Sequence, residues 1–159
     1  MHLKFNLTKK ILAWYDNNKR TLPWRVGKNS SNLLYYRVLS EFMLQQTQVK
    51  TVIPYFEKFT KKFCTLDSLS KASENKILKL WEGLGYYRRA RNLLATSKII
   101  VKKYNSILPR EIDEIKTLPG IGDYTSNVLA ALIYNTPTLA LDGNVKRVIS
   151  RILNKEVNK

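Results

Sequence analysis

Apolar residues recur three and four positions apart along almost the whole chain, and this spacing limits the possible folds more than any other feature. Examples are Leu7, Ile11, Leu12, Trp14 and Tyr15, and further along Val38, Leu39, Phe42 and Met43. Strand-type alternation is not apparent, and proline and glycine residues separate the periodic segments. The pattern predicts an all-α fold of two helical lobes with a cleft between them. The helices are predicted near residues 6–19, 32–47, 49–62, 74–80, 86–104, 111–116, 123–134 and 143–153.

Charged residues are divided unequally, with 28 Lys and Arg against 12 Asp and Glu, a net charge of +16 and a pI near 10.0. Such a balance is typical of proteins that bind a polyanion, nucleic acid in particular. The abundance of Lys beside Asn, Ile and Tyr leaves open a second cause, codon bias in an AT-rich genome. No stretch approaches the ~20 apolar residues that cross a bilayer, and lysines interrupt the N-terminus. We therefore expect neither a membrane partner nor a signal peptide.

The sequence contains one cysteine, Cys64, and one histidine, His2. A single cysteine cannot form an internal disulfide or a multi-cysteine metal site, so we expect no metal site in this chain and a reducing, cytoplasmic compartment. Cys64 itself is interpreted as a small packed residue. Any acid–base chemistry is left to Asp, Glu, Tyr or Lys.

The segment 118–122, Leu-Pro-Gly-Ile-Gly, predicts a tight hairpin that opens a helix. Gly120 helps to turn the chain, and Gly122 lets the first turn of that helix approach another molecule closely, where its N–H groups can hold a phosphate. Asp142 stands at the start of a further predicted helix. Each feature alone is commonly structural, because Pro-Gly turns join helices and Asp is a frequent N-cap.

Glu41 lies in an apolar predicted helix that continues into three glutamines, Gln45, Gln46 and Gln48. A helical Glu is usually a solvated surface residue. Glutamine amides, however, can hydrogen-bond base edges or wedge into a base stack, whereas the alternative is an ordinary polar helix face.

Two further segments combine aromatic and cationic side chains. The run 81–91 contains a glycine turn, paired tyrosines and three arginines, which suits base stacking and phosphate contact. An equally supported alternative is a helix start with Tyr in the core and Arg in solvent. In the loop Leu22-Pro23-Trp24-Arg25, the Trp can either stack on a base or hold the loop on the core.

Cleavage of an N-glycosidic bond requires two carboxylates in unlike surroundings, one to protonate the departing base and one to stabilise the sugar cation. Glu41, on an apolar helix, is the better acid. Asp142 is followed by Lys146, Arg147 and Arg151, whose positive field favours its ionised form. The sequence alone does not show that the two carboxylates meet.

Taken together, these motifs resemble the helix–hairpin–helix DNA glycosylase superfamily, and specifically its A/G-specific adenine glycosylases of the MutY type. The motifs are Leu22 to Arg25, Ser40 to Val49, Gly83 to Arg91, Leu118 to Gly122 and Leu141 to Val148. The resemblance runs in order through nearly the whole chain. It implies removal of adenine mispaired with 8-oxoguanine or guanine in double-stranded DNA, by a monomeric enzyme of the bacterial cytoplasm associated with the nucleoid.

The resemblance also implies roles for individual residues. The base is protonated at N7 by Glu41 and the sugar cation is stabilised by Asp142, with support from Asn144. A second set surrounds the extruded adenine: Trp24, Arg25 and Leu44. Residues implied to wedge into or bind the duplex are Gln46, Tyr86, Gly120, Gly122, Lys146 and Arg147.

Two alternatives remain open from the sequence. An endonuclease III-like glycosylase would use a lysine nucleophile at the position of Tyr124, and tyrosine cannot form the required Schiff base, so a monofunctional hydrolytic enzyme is favoured. Tyr124 is then a contact near the sugar or a packed ring. The other alternative is a DNA-binding remnant without catalysis.

The resemblance further implies a [4Fe–4S] cluster and a C-terminal domain that reads 8-oxoguanine, and this chain contains neither the four cysteine ligands nor that domain. We expect a fragmentary glycosylase core. Its six-helix lobe spans about 25–140, and its second lobe, 1–24 and 141–159, is incomplete, so that Leu7, Ile11 and Trp14 lose part of their apolar cover.

Overall fold

A computed structural model describes residues 2–154, with side chains from Leu7 onward. Helices are the regular elements of this part of the chain, and no strand occurs in it. In chain order they are α1 (His2–Asn18), α2 (Leu33–Leu44), α3 (Val49–Lys62), α4 (Leu66–Ser70), α5 (Glu74–Trp81), α6 (Arg88–Tyr104), α7 (Ile112–Lys116), α8 (Asp123–Tyr134) and α9 (Gly143–Leu153).

The hydrophobic core is organised around α2, which packs against α3, α6 and α8. Val38, Leu39, Phe42 and Met43 of α2 are completely buried, as the helical spacing of the sequence predicts. Helices α4 and α5 cover the other side of α6, and α7 packs on α8. Helix α2, which carries Glu41, is therefore held in place by the core.

One short helix, α4, is absent from the sequence-based prediction. It is only five residues long, too short for apolar periodicity to reveal it. Its start is fixed by a capping box, in which the Thr65 hydroxyl accepts the Ser68 N–H at 3.1 Å and the Ser68 hydroxyl accepts the Thr65 N–H at 3.1 Å.

Two helix ends differ from the prediction because the backbone turns sharply there. Helix α2 ends at Leu44 rather than near residue 47, since Gln46 adopts a positive φ of 56°. Helix α6 begins at Arg88 rather than near residue 86, since Tyr86 has a φ of 50°.

Pro54 lies inside α3 and does not mark the start of this helix. It is exposed, so water can hydrogen-bond to the backbone carbonyl that lacks its usual N–H donor.

Helices α1 and α9 carry exposed apolar faces. The large apolar side chains of α1 that are more than two fifths exposed are Leu7, Ile11, Leu12, Trp14 and Tyr15, and those of α9 are Val148, Ile152 and Leu153. No residue of α9 is buried. The expected loss of cover at Leu7, Ile11 and Trp14 agrees with the structure.

Cys64 is exposed, and the interpretation of it as a packed residue is wrong. It lies between Phe63, the buried residue that follows α3, and Thr65, the N-cap of α4, so Phe63 packs into the core and Cys64 does not. Within residues 2–154, no helix is both long and apolar enough to cross a bilayer.

Candidate active site

The hairpin between α7 and α8 is a tight turn that packs closely against neighbouring side chains. The Ile121 N–H donates to the Leu118 carbonyl at 3.1 Å, and Gly120 has a φ of 77°. A Cβ at Gly120 would lie 2.6 Å from Asn92 Nδ2 and 2.9 Å from Phe42 Cε1, so glycine is required there. The Gln45 amide also donates to the Gly120 carbonyl at 3.2 Å, which ties the end of α2 to the hairpin.

Gly122 caps α8, and the space around its Cα is open. Gly122, Asp123 and Tyr124 at the start of α8 are exposed, and a helix N-terminus can hold a phosphate. Asp123 in this turn is paired with Lys116 at 2.7 Å, which offsets its negative charge. Whether Gly120 and Gly122 bind DNA stays a prediction.

Glu41 lies on α2 at the wall of a cleft of about 780 Å³. Segments 15–25, 37–49 and 124–132 contribute the walls of this cleft. The carboxylate of Glu41 forms no ion pair within 4 Å among residues 2–154. It is thus available to a molecule that enters the cleft.

Burial raises the pKa of Glu41 to about 7, although the nearby positive charge of Arg37 acts in the opposite direction. A carboxyl group with this pKa is about half protonated at neutral pH. General acids work best when their pKa lies near the operating pH, so Glu41 is suited to donate a proton.

Asp142 is the N-cap of α9. Its Oδ1 accepts the Val145 N–H at 2.7 Å, and its Oδ2 lies 3.4 Å from Asn144 Nδ2. Asn144 Oδ1 in turn accepts from the Arg147 guanidinium at 3.4 Å. The capping role of Asp142 is therefore real, and it fixes the carboxylate at the tip of the helix.

Tyr124, in the first turn of α8, lines the same cleft as Glu41. Partial burial, then the charges of Glu41 and Asp142, raise the pKa of the Tyr124 hydroxyl. Asp142 and Asn144 are not among the residues that line this cleft.

The three residues predicted to surround adenine all line this cleft, but in different ways. Trp24 is 4% exposed and packs edge-on against Phe56 at 5.3 Å between ring centres, so it mainly holds its loop on the core. Arg25 is exposed, donates to the Arg20 carbonyl at 3.0 Å and lies over the Tyr15 ring. Leu44 is half-buried at the end of α2.

Gln46 and Tyr86 lie beside a second, smaller hollow of about 230 Å³. Both side chains are exposed, and both residues adopt the left-handed backbone conformation that non-glycine residues seldom take. Whether Gln46 and Tyr86 enter a duplex stays a prediction. The other two residues predicted to bind the duplex, Lys146 and Arg147, lie on α9 close to Asn144. Lys146 is half-buried and Arg147 is exposed.

The comparison with protein families decides the assignment of the chain. Residues 39–158 match the family described as HhH-GPD superfamily base excision DNA repair protein. The chain belongs to this superfamily. The resemblance to adenine glycosylases is confirmed as well, because this HhH-GPD chain is 48% identical to the adenine DNA glycosylase of Buchnera aphidicola subsp. Baizongia pistaciae over 93% of its length. It is 40% identical to the human adenine DNA glycosylase over 89%.

The HhH-GPD chain spans 41% of the Buchnera relative and 27% of the human one. Among solved structures it superposes on a thermostable thymine-DNA glycosylase with a TM-score of 0.79 and 26% identity, covering 91% of this chain and 65% of that one. It also superposes on endonuclease III in a non-covalent DNA complex with a TM-score of 0.76 and 22% identity, covering 95% and 67%. The all-α helix–hairpin–helix glycosylase fold is confirmed.

The [4Fe–4S] cluster expected for the HhH-GPD resemblance does not fit the residues of this chain. Cys64 is the one cysteine of the sequence, and four thiolates hold such a cluster. Residues 2–154 contain no group of three or more His, Cys, Asp or Glu side chains that could hold a metal ion.

Sequence reasoning missed two arginines of this HhH-GPD site. Arg37 lies one helical turn before Glu41 and lines the same cleft, with its Nε buried and unpartnered. Its spacing of four residues from Glu41 was the available signal. Arg89 is buried, whereas the sequence left open whether the arginines of segment 81–91 contact phosphate or lie in solvent.

Proposed function

We propose that this chain carries the catalytic core of a DNA glycosylase that hydrolyses the N-glycosidic bond of adenine mispaired with 8-oxoguanine or guanine. The single observation that supports it most is Glu41, a carboxyl group with a pKa of about 7 in a cleft that it shares with Tyr124, next to Asp142. The relatives are adenine DNA glycosylases. Residues about 25–140 would form its six-helix lobe, and 1–24 and 141–159 would belong to an incomplete flanking lobe.

The partner in this proposal is double-stranded DNA, bound by a monomer. A net charge of +16 favours a polyanion, and the accessible first turn of α8 suits a phosphate. Adenine must leave the base stack before its N-glycosidic bond can be reached. Gln46 and Tyr86, which line the smaller hollow, are the side chains that would fill the gap left in the stack by the extruded base.

The chemistry follows from the two unlike carboxyl groups. Protonated Glu41 donates its proton to N7 of adenine, which makes the base a better leaving group. The C1′–N9 bond then breaks with its electron pair going to the base, and positive charge develops on C1′ and O4′ of the sugar. The Asp142 carboxylate stabilises that charge, and a water molecule adds to C1′ and passes its proton to this carboxylate. Asn144, within reach of the Asp142 oxygen, would orient that carboxylate.

The proposed reaction ends at an abasic site without strand cleavage. A glycosylase that also cleaves the strand forms a Schiff base through an amine, and the phenol of Tyr124 cannot do so. Tyr124 would instead contact the sugar between the carboxylates.

The test is a single-turnover incubation of the whole chain with a duplex that contains adenine opposite 8-oxoguanine, followed by alkali to reveal abasic sites. We expect alkali-dependent cleavage at the adenine, and none with Glu41→Gln. Intact duplex binding without adenine release would contradict the proposal and favour a non-catalytic DNA-binding protein. Cleavage without alkali, trapped by borohydride, would favour a lyase of the endonuclease III type.

A further inference from the structure

Arg89 joins two turns of the backbone that are distant in sequence. Its guanidinium is buried and donates to five carbonyl oxygens. One terminal nitrogen binds the end of α2, through the carbonyls of Phe42 at 3.3 Å, Met43 at 2.9 Å and Gln45. The other binds the turn before α6, through the carbonyls of Leu84 and Gly85, both at 3.1 Å.

Each of these turns leads directly into a residue in the left-handed conformation. Gln46, with a φ of 56°, follows Gln45, and Tyr86, with a φ of 50°, follows Gly85. Such conformations persist only where surrounding contacts fix them. Arg89 supplies these contacts on both sides at once, and its charge lies over the Tyr86 ring at 5.5 Å from the ring centre.

The burial of Arg89 rules out a direct phosphate contact for its guanidinium, which already points both terminal nitrogens at carbonyl groups. Its neighbours differ, because Arg88 and Arg91 are exposed and Arg91 is paired with Glu74 at 2.7 Å. The Arg89 side chain therefore acts inside the protein, on the geometry of the two turns.

We propose that Arg89 is a positioning residue that fixes Gln46 and Tyr86 relative to each other, so that both enter the base stack of a duplex as one wedge. This inference rests on the proposed function, because the wedge matters only if the chain opens DNA. The planar fork of arginine spans both sets of carbonyls, and the compact ammonium of lysine cannot. Arg89→Lys keeps the charge and removes the bridge.

The experiment uses the whole chain and a duplex in which adenine opposite 8-oxoguanine carries a 2′-fluorine, so that the N-glycosidic bond resists hydrolysis. A 2-aminopurine one base pair away reports local unstacking as an increase in fluorescence. The matched control is Arg110→Lys, which changes an exposed arginine over the Tyr134 ring, away from the wedge.

We expect Arg89→Lys to bind undamaged duplex as wild type does, because backbone electrostatics dominate that affinity. It should lose most of the fluorescence increase at saturation, and about tenfold in the ratio of affinity for mispaired over undamaged duplex. Arg110→Lys should match wild type in both. A variant that is merely less stable would still give the full fluorescence increase from its folded molecules. Circular dichroism and gel filtration show whether the variant is folded.

The outcomes separate this inference from the proposed function. If wild type itself neither raises the fluorescence nor releases adenine from the unmodified mispair, the proposed function fails. If wild type responds and folded Arg89→Lys responds with the same amplitude, Arg89 does not position the wedge, although the function stands.

Hydrogen exchange on wild type provides a test that does not depend on the folding of the variant. The Thr47 N–H donates to the Leu44 carbonyl at 3.2 Å, and the Leu84 N–H donates to the Trp81 carbonyl at 3.0 Å, one in each turn. If Arg89 couples the turns, these two amides should exchange with the same protection and respond together to low denaturant. Independent protection of the two amides would overturn the inference.

Discussion

At the scale of single residues, Glu41 combines a chemical task with a cost in stability. Its folded pKa of about 7 exceeds its ordinary value of 4.5, so the folded protein holds this proton more tightly than the unfolded chain does. Wild-type stability should therefore fall as the pH rises from 4.5 to 7, by at most about 3 kcal/mol. The group best suited to donate a proton thus destabilises the protein once it is ionised.

Glu41→Gln should relieve this cost. We expect the variant to gain stability over wild type with rising pH between 4.5 and 7 and to keep a constant advantage above that range, as measured by urea unfolding at several pH values. Glu57→Gln, at an exposed site on α3, is the control for the loss of one carboxyl group, and a gain of the same size there would mean that the effect is not specific to Glu41. An equal difference between Glu41→Gln and wild type at pH 4.5 and pH 8 would contradict a raised pKa of Glu41.

Asp142 has two tasks that different substitutions can separate. Asparagine caps a helix about as well as aspartate, whereas alanine loses about 1 kcal/mol at an N-cap. Asp142→Asn should therefore keep α9 helical and lose adenine excision, while Asp142→Ala should weaken α9 as well as abolish excision. Hydrogen exchange of the α9 amides and single-turnover excision provide the two measurements. A near-wild-type excision rate in Asp142→Asn would show that the carboxylate charge is not needed.

At the scale of elements, the hairpin between α7 and α8 contains two glycines with different duties. Gly120→Ala should destabilise the protein by about 2 kcal/mol or more, because a Cβ there meets Asn92 and Phe42 at under 3 Å and the φ of 77° strains any side chain. At Gly122 a Cβ meets open space, so Gly122→Ala should cost less, about 1 kcal/mol or below from the poorer N-cap, while a methyl group at the start of α8 should weaken duplex binding. Thermal unfolding and a binding titration distinguish the two effects. Equal loss of stability in both variants would refute this division of roles.

Helix positions could be predicted from the sequence wherever apolar periodicity is long, as in α2, α3 and α6. The ends of α2 and α6 could not, because glutamine and tyrosine have no strong aversion to helices, and the turns at Gln46 and Tyr86 are imposed by tertiary contacts from Arg89. For the site, chemistry singled out Glu41 and Asp142. Their surroundings could not be predicted, because the cleft is assembled from three separate segments. Arg37 is the exception, since it lies four residues before Glu41 on the same helix.

At the scale of the whole molecule, the apolar faces of α1 and α9 are the most unusual surfaces. Large exposed apolar patches commonly bind other apolar surfaces. We expect the isolated chain to bind a hydrophobic dye such as ANS and to associate at high concentration. Trp14→Lys combined with Ile11→Lys should reduce both effects without lowering the unfolding midpoint, because neither side chain is part of the core.

Ile107→Lys is the matched control for these surface changes. Ile107 is 63% exposed but stands alone in the loop between α6 and α7, so its replacement should leave dye binding unchanged. A similar reduction by Ile107→Lys would mean that dye binding reports general charge rather than the two faces.

Because Asp142 caps α9 and no side chain of α9 is buried, we expect α9 to unfold locally at a lower temperature than the core. On the proposed function, excision should fade on heating while α2 and α6 are still intact. The Asp142 carboxylate would then lose its position before the core unfolds. Comparing the temperature dependence of excision with that of far-UV circular dichroism would show this, and coincident curves would show that α9 melts with the rest.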